Sequence, residues 1–216
     1  MFDISLIFLF SLILFLQAFT VYLDNRSNIF DFFLKLKKRK IATAYTNRGI
    51  YLTTSRAIFF IVPPLLGYVT IKVGIYELKV LLFLASFLNV IITTIQFKYY
   101  FNFFKLAFFN LEFYKALSKK IDFYIGIFAF VLFLMTPYLL NYLAKIFPDD
   151  GLWLVQLNPF LNAILILYVI WIFEPKLAKK VDTKEKYSLE LYEAFFVRII
   201  GRIIALILIT FLIIST

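Results

Sequence analysis

Six apolar runs, each about 20 residues long, divide the chain: Ile4–Leu23, Gly49–Ile71, Val80–Phe97, Phe123–Ala144, Gly151–Phe173 and Ala194–Thr216. An α-helix of that length rises about 30 Å, the thickness of bilayer hydrocarbon, so each run predicts a membrane-crossing helix. The alternating segments of roughly ten residues that mark a transmembrane β-barrel are absent from the sequence. The predicted fold class is therefore an all-α polytopic membrane protein with six transmembrane helices, one integral membrane domain over residues 1–216. Three spans followed by three would suit two inverted halves, because an odd number of crossings flips the second half. Helix breakers in such folds recur at matching places near the binding site. Here Pro63, Pro64 and Gly67 interrupt the second span, Pro159 the fifth, and Gly201 lies in the sixth. The first span does not read as a cleavable signal peptide, since its flank holds Asp3 and no Lys or Arg, and its apolar run is too long.

Charge between the runs adds an orientation. The segments 24–48, 98–122 and 174–193 carry seven, five and five Lys and Arg, whereas the alternate connections carry only Lys72, Lys79 and Lys145. Basic loops stay on the cytoplasmic side, which predicts both termini outside. Within 98–120, Lys98, Asn102, Lys105, Glu112 and Lys119 recur at helical spacing among Tyr99, Phe101, Phe104, Phe108 and Phe113. That pattern predicts an amphipathic helix in the headgroup plane, or an extension of the third span. Asn28–Lys40, with Asp31, Lys35 and Lys38 on one stripe, predicts a second surface segment held by anionic membrane lipids.

Composition narrows the chemistry. The chain is 63% hydrophobic, beyond what a soluble domain tolerates, and it holds neither cysteine nor histidine. Disulfides, thiolate chemistry, zinc sites and histidine proton relays are thereby excluded. The net charge of +10 belongs mostly to the membrane-flanking loops, so it signals orientation and not nucleic acid. No cofactor or metal site and no catalytic motif is expected: Asp-rich, HExxH and Gly-rich phosphate patterns are missing.

Three arginines lie inside the spans: Arg56, Arg198 and Arg202. An arginine at the centre of an inserted helix costs at least ~2.5 kcal/mol, so each asks for a partner or a purpose. Arg198 and Arg202 share one helix face by their four-residue spacing, and guanidinium forks match phosphate oxygens. All three fall at similar depth on the side of the basic loops, a layer suited to an anionic, lipid-borne headgroup. Snorkelling to lipid phosphates is the competing reading, chiefly for Arg198. Glu174, closing the fifth span before Pro175, is either a partner for one of these arginines or an ordinary interfacial carboxylate. Asp182, Glu185, Glu190 and Glu193 are expected in solvated loop. Asn89, Gln96, Asn141, Gln156, Asn158 and Asn162 are expected to bond between helices. Ser55-Arg56 invites comparison with lipid-pyrophosphate phosphatases, but the acidic residues and glycine-rich loop those enzymes need are missing around it.

Ile41-Ala42-Thr43-Ala44, then Ser55-Arg56, then Pro64-Leu65-Leu66-Gly67 resemble the N-terminal half of the Amj family of lipid II flippases, the alternate to MurJ. Glu174-Pro175, Asp182 and Arg198-Ile199-Ile200-Gly201 resemble its second half in order, although Glu174 stands where Asp is usual. The resemblance implies six spans, no enzymatic activity, and transport of lipid II toward the outer leaflet of the bacterial cytoplasmic membrane. The expected substrate-binding residues are Arg56, Arg198, Arg202, Ser55 and Glu174, with the arginines forming the cationic floor of a cavity open to the cytoplasmic leaflet; the resemblance offers no counterpart for Arg202. A homo-oligomer is compatible with the chain. Transport of another anionic polyprenyl lipid such as undecaprenyl phosphate, a lipid-pyrophosphate phosphatase, and a structural or regulatory membrane subunit are the alternatives.

Overall fold

A computed structural model describes residues 4–36, 41–168 and 188–215. The described residues form seven helices: α1 (Ile4–Leu36), α2 (Ile41–Lys72), α3 (Ile75–Phe103), α4 (Leu111–Leu117), α5 (Ile121–Ile146), α6 (Gly151–Tyr168) and α7 (Ser188–Ile214). Among these residues, five segments are long and apolar enough to cross a membrane: Ile4–Ser27, Gly49–Lys72, Ile75–Phe103, Ile121–Ile146 and Leu189–Ile214. The predicted fifth span corresponds to α6 through Tyr168, and its continuation to Phe173 lies outside the described residues. Large apolar side chains cover the outside of the bundle, among them Phe8, Phe15, Ile95, Phe128, Ile207 and Phe211. Such a surface is the one a helix bundle presents to lipid and not to water.

Helices α1 and α2 run well past the apolar spans that announce them. At 33 and 32 residues each is about 50 Å long, against roughly 30 Å of hydrocarbon. Of the surface segment expected at 28–40, the part through Leu36 continues helix α1, and residues 37–40 lie outside the described residues. Of the two readings of 98–120, extension of the third span holds for its first residues. Helix α3 continues through Phe103, and Lys105, at φ 53°, turns the chain in the left-handed conformation. The amide of Lys105 donates to the carbonyl of Asn102 at 3.1 Å and that of Leu106 to Phe101 at 2.9 Å, the paired bonds that close a helix C-terminus. Asn110 then accepts from the amides of Glu112 and Phe113 to start α4. Part of the aromatic set of this stretch packs on α7: Phe113 stacks on Tyr192 at 4.7 Å, and Tyr114 meets Phe196 edge-on at 5.5 Å.

Packing follows a simple plan. Helix α1 lies against α2 and α3, α5 lies against α6 and α7, and the α3–α7 contact joins the two groups. One apolar cluster, at the end bearing the basic loops, gathers Phe97, Phe101, Phe123, Tyr192 and Phe196. A second gathers Ile13, Leu66, Val69, Leu78, Tyr142 and Ile209 farther along the bundle. Every residue from Glu190 to Ile199 is buried, so the first half of α7 is enclosed all round. At the far end, Lys79 Nζ donates to the carbonyl of Ile213 at 3.0 Å and satisfies the last turn of α7.

The residues expected to break helices do not break them. Helix α2 runs unbroken through Pro63 and Pro64, α6 through Pro159, and α7 through Gly201. The glycines serve close approach instead. A Cβ on Gly67 would lie 2.5 Å from Val155 Cγ1 of α6, and one on Gly201 would lie 3.0 Å from Phe130 Cβ of α5. Gly67→Ala should therefore lower stability by about 1–3 kcal/mol through overpacking. Adding Val155→Ala should restore most of the loss, since the clashing methyl is then gone; thermal melts of the two single variants and the double variant measure the coupling.

Candidate functional site: a buried arginine pair

A polar layer lies between the two apolar clusters, where α1, α3, α5 and α7 meet. Arg198 and Arg202, 0% and 3% exposed, project from α7 one turn apart. Gly201 between them lets α7 approach α5 closely, and both guanidinium carbons sit 5.3 Å from the centre of the Phe130 ring. The ring face supplies partial negative charge to two cations removed from water.

The carboxylate beside them is Asp24, which the expectation of a loop from residue 24 onward concealed. Its Oδ2 lies 3.9 Å from Arg198 Nε and 3.7 Å from Arg202 Nη2. Both distances are long for charge-assisted hydrogen bonds. Asp24 is 28% exposed, so the shared carboxylate is the part of this cluster open to its surroundings. Arg198 Nη1 donates to the carbonyl of Ala194 at 3.2 Å, and Arg202 Nη1 to Asn25 Oδ1 at 3.4 Å. Arg198 Nε and Nη2 and Arg202 Nε are buried without a hydrogen-bond partner. Three buried donors on two cations are thus left unsatisfied by hydrogen bonds, a costly state for a protein interior.

Neutral polar residues extend the layer. Asn25 Nδ2 donates to Gln96 Oε1 at 2.8 Å and to Thr93 Oγ1 at 3.3 Å, and Gln96 Nε2 donates to the carbonyl of Tyr22 at 3.0 Å. Asn89 Nδ2 and Gln17 Nε2 both donate to the Tyr138 hydroxyl, at 3.4 and 3.2 Å. Nearer the far end, Thr70 donates to Asn141 Oδ1 at 3.1 Å across α2 and α5. The interhelical bonding expected of Asn89, Gln96 and Asn141 is present, while Gln156 is exposed.

The other expected site residues fall elsewhere. Ser55 is buried and donates to the carbonyl of Thr20 at 3.4 Å, tying α2 to α1. Arg56 is half-buried on α2, with Nη2 buried and unpartnered. Helix α2 packs chiefly on α1, with smaller contacts to α5 and α6, whereas Arg198 and Arg202 project from α7. Glu174 and Asp182 lie outside the described residues. Glu190 and Glu193, expected in solvated loop, are buried in the first turns of α7, at 1% and 2% exposure.

What borders Arg202 is a narrow void lined by Ser86, Asn89, Leu134, Tyr138 and Ala205. Among the described residues, no group of His, Cys, Asp and Glu is arranged to hold a metal ion.

Fold and site together define a membrane-embedded helical bundle with a buried, incompletely satisfied arginine pair. No family model, curated protein or solved structure matches the chain.

Proposed function

We propose that this protein is a flippase for lipid II, carrying the polyprenyl-pyrophosphate-linked peptidoglycan precursor from the inner to the outer leaflet of the bacterial cytoplasmic membrane. The observation that carries the proposal is the arginine pair: two buried cations share one carboxylate oxygen at long range and keep three donor nitrogens unpartnered. A pyrophosphate presents several anionic oxygens of the right geometry for such forks. On this reading the enclosed arrangement is a closed state in which Asp24 stands in for substrate. The pyrophosphate displaces it, while the polyprenyl tail stays in lipid between helices.

The same proposal assigns α1–α3 and α5–α7 to two inverted halves. In each, the first helix packs on both of the others, and the halves meet along α3 and α7. Rocking about that seam would expose the arginines first to one leaflet and then to the other. The basic loops face the cytoplasm and the termini lie outside. Since the chain has no cysteine, single cysteines report this cleanly. Those replacing Asp3 and Asp149 should react with an impermeant reagent added to intact cells, and one replacing Lys38 should not. Labelling at Lys38 would reverse the orientation.

The functional test is complementation of a cell depleted of its essential lipid II flippase, with surface lipid II assayed directly. Growth with restored surface lipid II is the expected result; no rescue from a well-expressed protein would remove the proposal. A second reading draws on the enclosure itself. With Arg198 fully buried, the pair could be a structural ion cluster of a non-transporting membrane subunit. Full complementation by a variant with Arg56, Arg198 and Arg202 all changed to Gln would favour that reading.

A further inference from the structure

A second set of buried polar atoms lies farther from the basic end than the Asp24 cluster. Thr93 touches Asn25, and Asn89 and Ser86 follow it by one and two turns along α3 toward the middle of the bundle. The void bordering Arg202 is lined by Ser86, Asn89 and Tyr138, each at least nine-tenths buried. Ser86 Oγ, Asn89 Oδ1 and Arg202 Nε are buried without a hydrogen-bond partner. The Tyr138 oxygen accepts from Asn89 and Gln17, which leaves its own proton free to donate.

The chemistry of this set is that of an anion site. The Arg202 Nε–H, the Ser86 hydroxyl and the Tyr138 hydroxyl are three donors, one of them cationic. A metal cation would find oxygen atoms at Asn89, Ser86 and Tyr138 but would face the Arg202 charge. Asn89 presents its amide oxygen as the structure stands, and rotation of the amide would offer a donor to the anion instead.

We propose that Ser86, Asn89, Tyr138 and Arg202 form a second anion station. It takes a phosphoryl group one step nearer the bundle centre than the Asp24–Arg198–Arg202 site, with Arg202 shared between the two. The inference rests on reading the arginine pair as a headgroup site. Arg202 can then hand an anion inward by exchanging its Nη contacts for its Nε contact, so that no phosphate need leave one cation before reaching the next. The void is too narrow for a bound group in the closed state, so the station opens only as α3 and α5 separate.

Asn89→Asp tests this by opposite signs. The new carboxylate gives Arg202 an internal partner and repels an incoming anion. Thermal stability should therefore hold or rise, while movement of a fluorescent polyprenyl pyrophosphate in phosphatidylcholine vesicles should fall at least about tenfold. A purely structural role would make stability and transport fall together, and transport at the wild-type rate would overturn the station. The double change Ser86→Ala with Tyr138→Phe removes two hydroxyls and little volume. It should also cut transport about tenfold, and a wild-type rate there overturns the inference even if Asn89→Asp does not fold. Inorganic pyrophosphate and the lipid, each tested for raising the melting temperature, separate a soluble source from a lipid-borne one. Stabilisation of wild type by either probe, weakened in the double variant, supports the site; equal stabilisation of both proteins overturns it. If Arg198→Gln transports normally, the arginine-pair reading itself fails, a result distinct from failure of the station alone.

Discussion

Asp24→Ala should lower the stability of the purified protein by about 2–3 kcal/mol, the largest loss expected from any single change at the arginine site. Removing one member of a buried ion pair typically costs ~3–5 kcal/mol, and partial exposure of this carboxylate reduces that. The cost arises because Asp24 Oδ2 faces both guanidinium groups, at 3.9 and 3.7 Å, and its loss leaves two cations one turn apart on α7. The Phe130 ring offsets a little of that charge and cannot replace a carboxylate. Because a ligand stabilises the state it binds, added polyprenyl pyrophosphate should raise the melting temperature of Asp24→Ala by more than that of wild type. Wild-type melting of Asp24→Ala, with and without lipid, would mean that the arginines find other solvation, such as headgroup phosphates reached by snorkelling.

The second large effect is on transport. Arg198→Gln should reduce it by about ten- to a hundredfold, the factor that follows from losing a charged hydrogen-bonding group to an anion. Abundance in the membrane should stay close to wild type, because removing an intramembrane arginine eases helix insertion by roughly 2.5 kcal/mol or more. The variant also leaves Asp24 paired with Arg202, so no uncompensated acid is created. Flux and abundance measured in the same cells separate a lost function from a lost protein. Normal flux in Arg198→Gln would assign that side chain to the fold.

Five of the six spans were legible in the sequence because hydrocarbon imposes length and apolarity, and little else does. Their ends were not. A charge ends an apolar run, yet it need not end a helix, and α1 carries Asp24 and Asn25 on past Leu23 into the polar layer. The same boundary error placed Glu190 and Glu193 in a loop when they begin α7. A depth argument would have found Asp24. It stands where its span runs into the basic segment 24–48, in the layer already inferred for the arginines. Arg198 and Arg202 were legible from their cost and their spacing. That α2, which carries Arg56, packs chiefly on α1 was not, because one sequence gives depth along a helix and leaves open which helices are neighbours. Gly67 and Gly201 stood out as special positions, but pattern alone could not distinguish a break from a close approach. Asn25, Gln17, Ser86 and Thr93 carry no individual signal, and only their convergence in space makes them part of a site.

The most direct measurement is headgroup translocation by purified protein in vesicles doped with a fluorescent polyprenyl pyrophosphate lipid, comparing wild type with the Arg198→Gln, Arg202→Gln double variant. Wild type should move the labelled headgroup between leaflets, and the double variant, reconstituted to equal density and melting as a folded protein, should move it no faster than protein-free vesicles. Equal rates for the two proteins would contradict the claim that the buried arginine pair carries the substrate's phosphates.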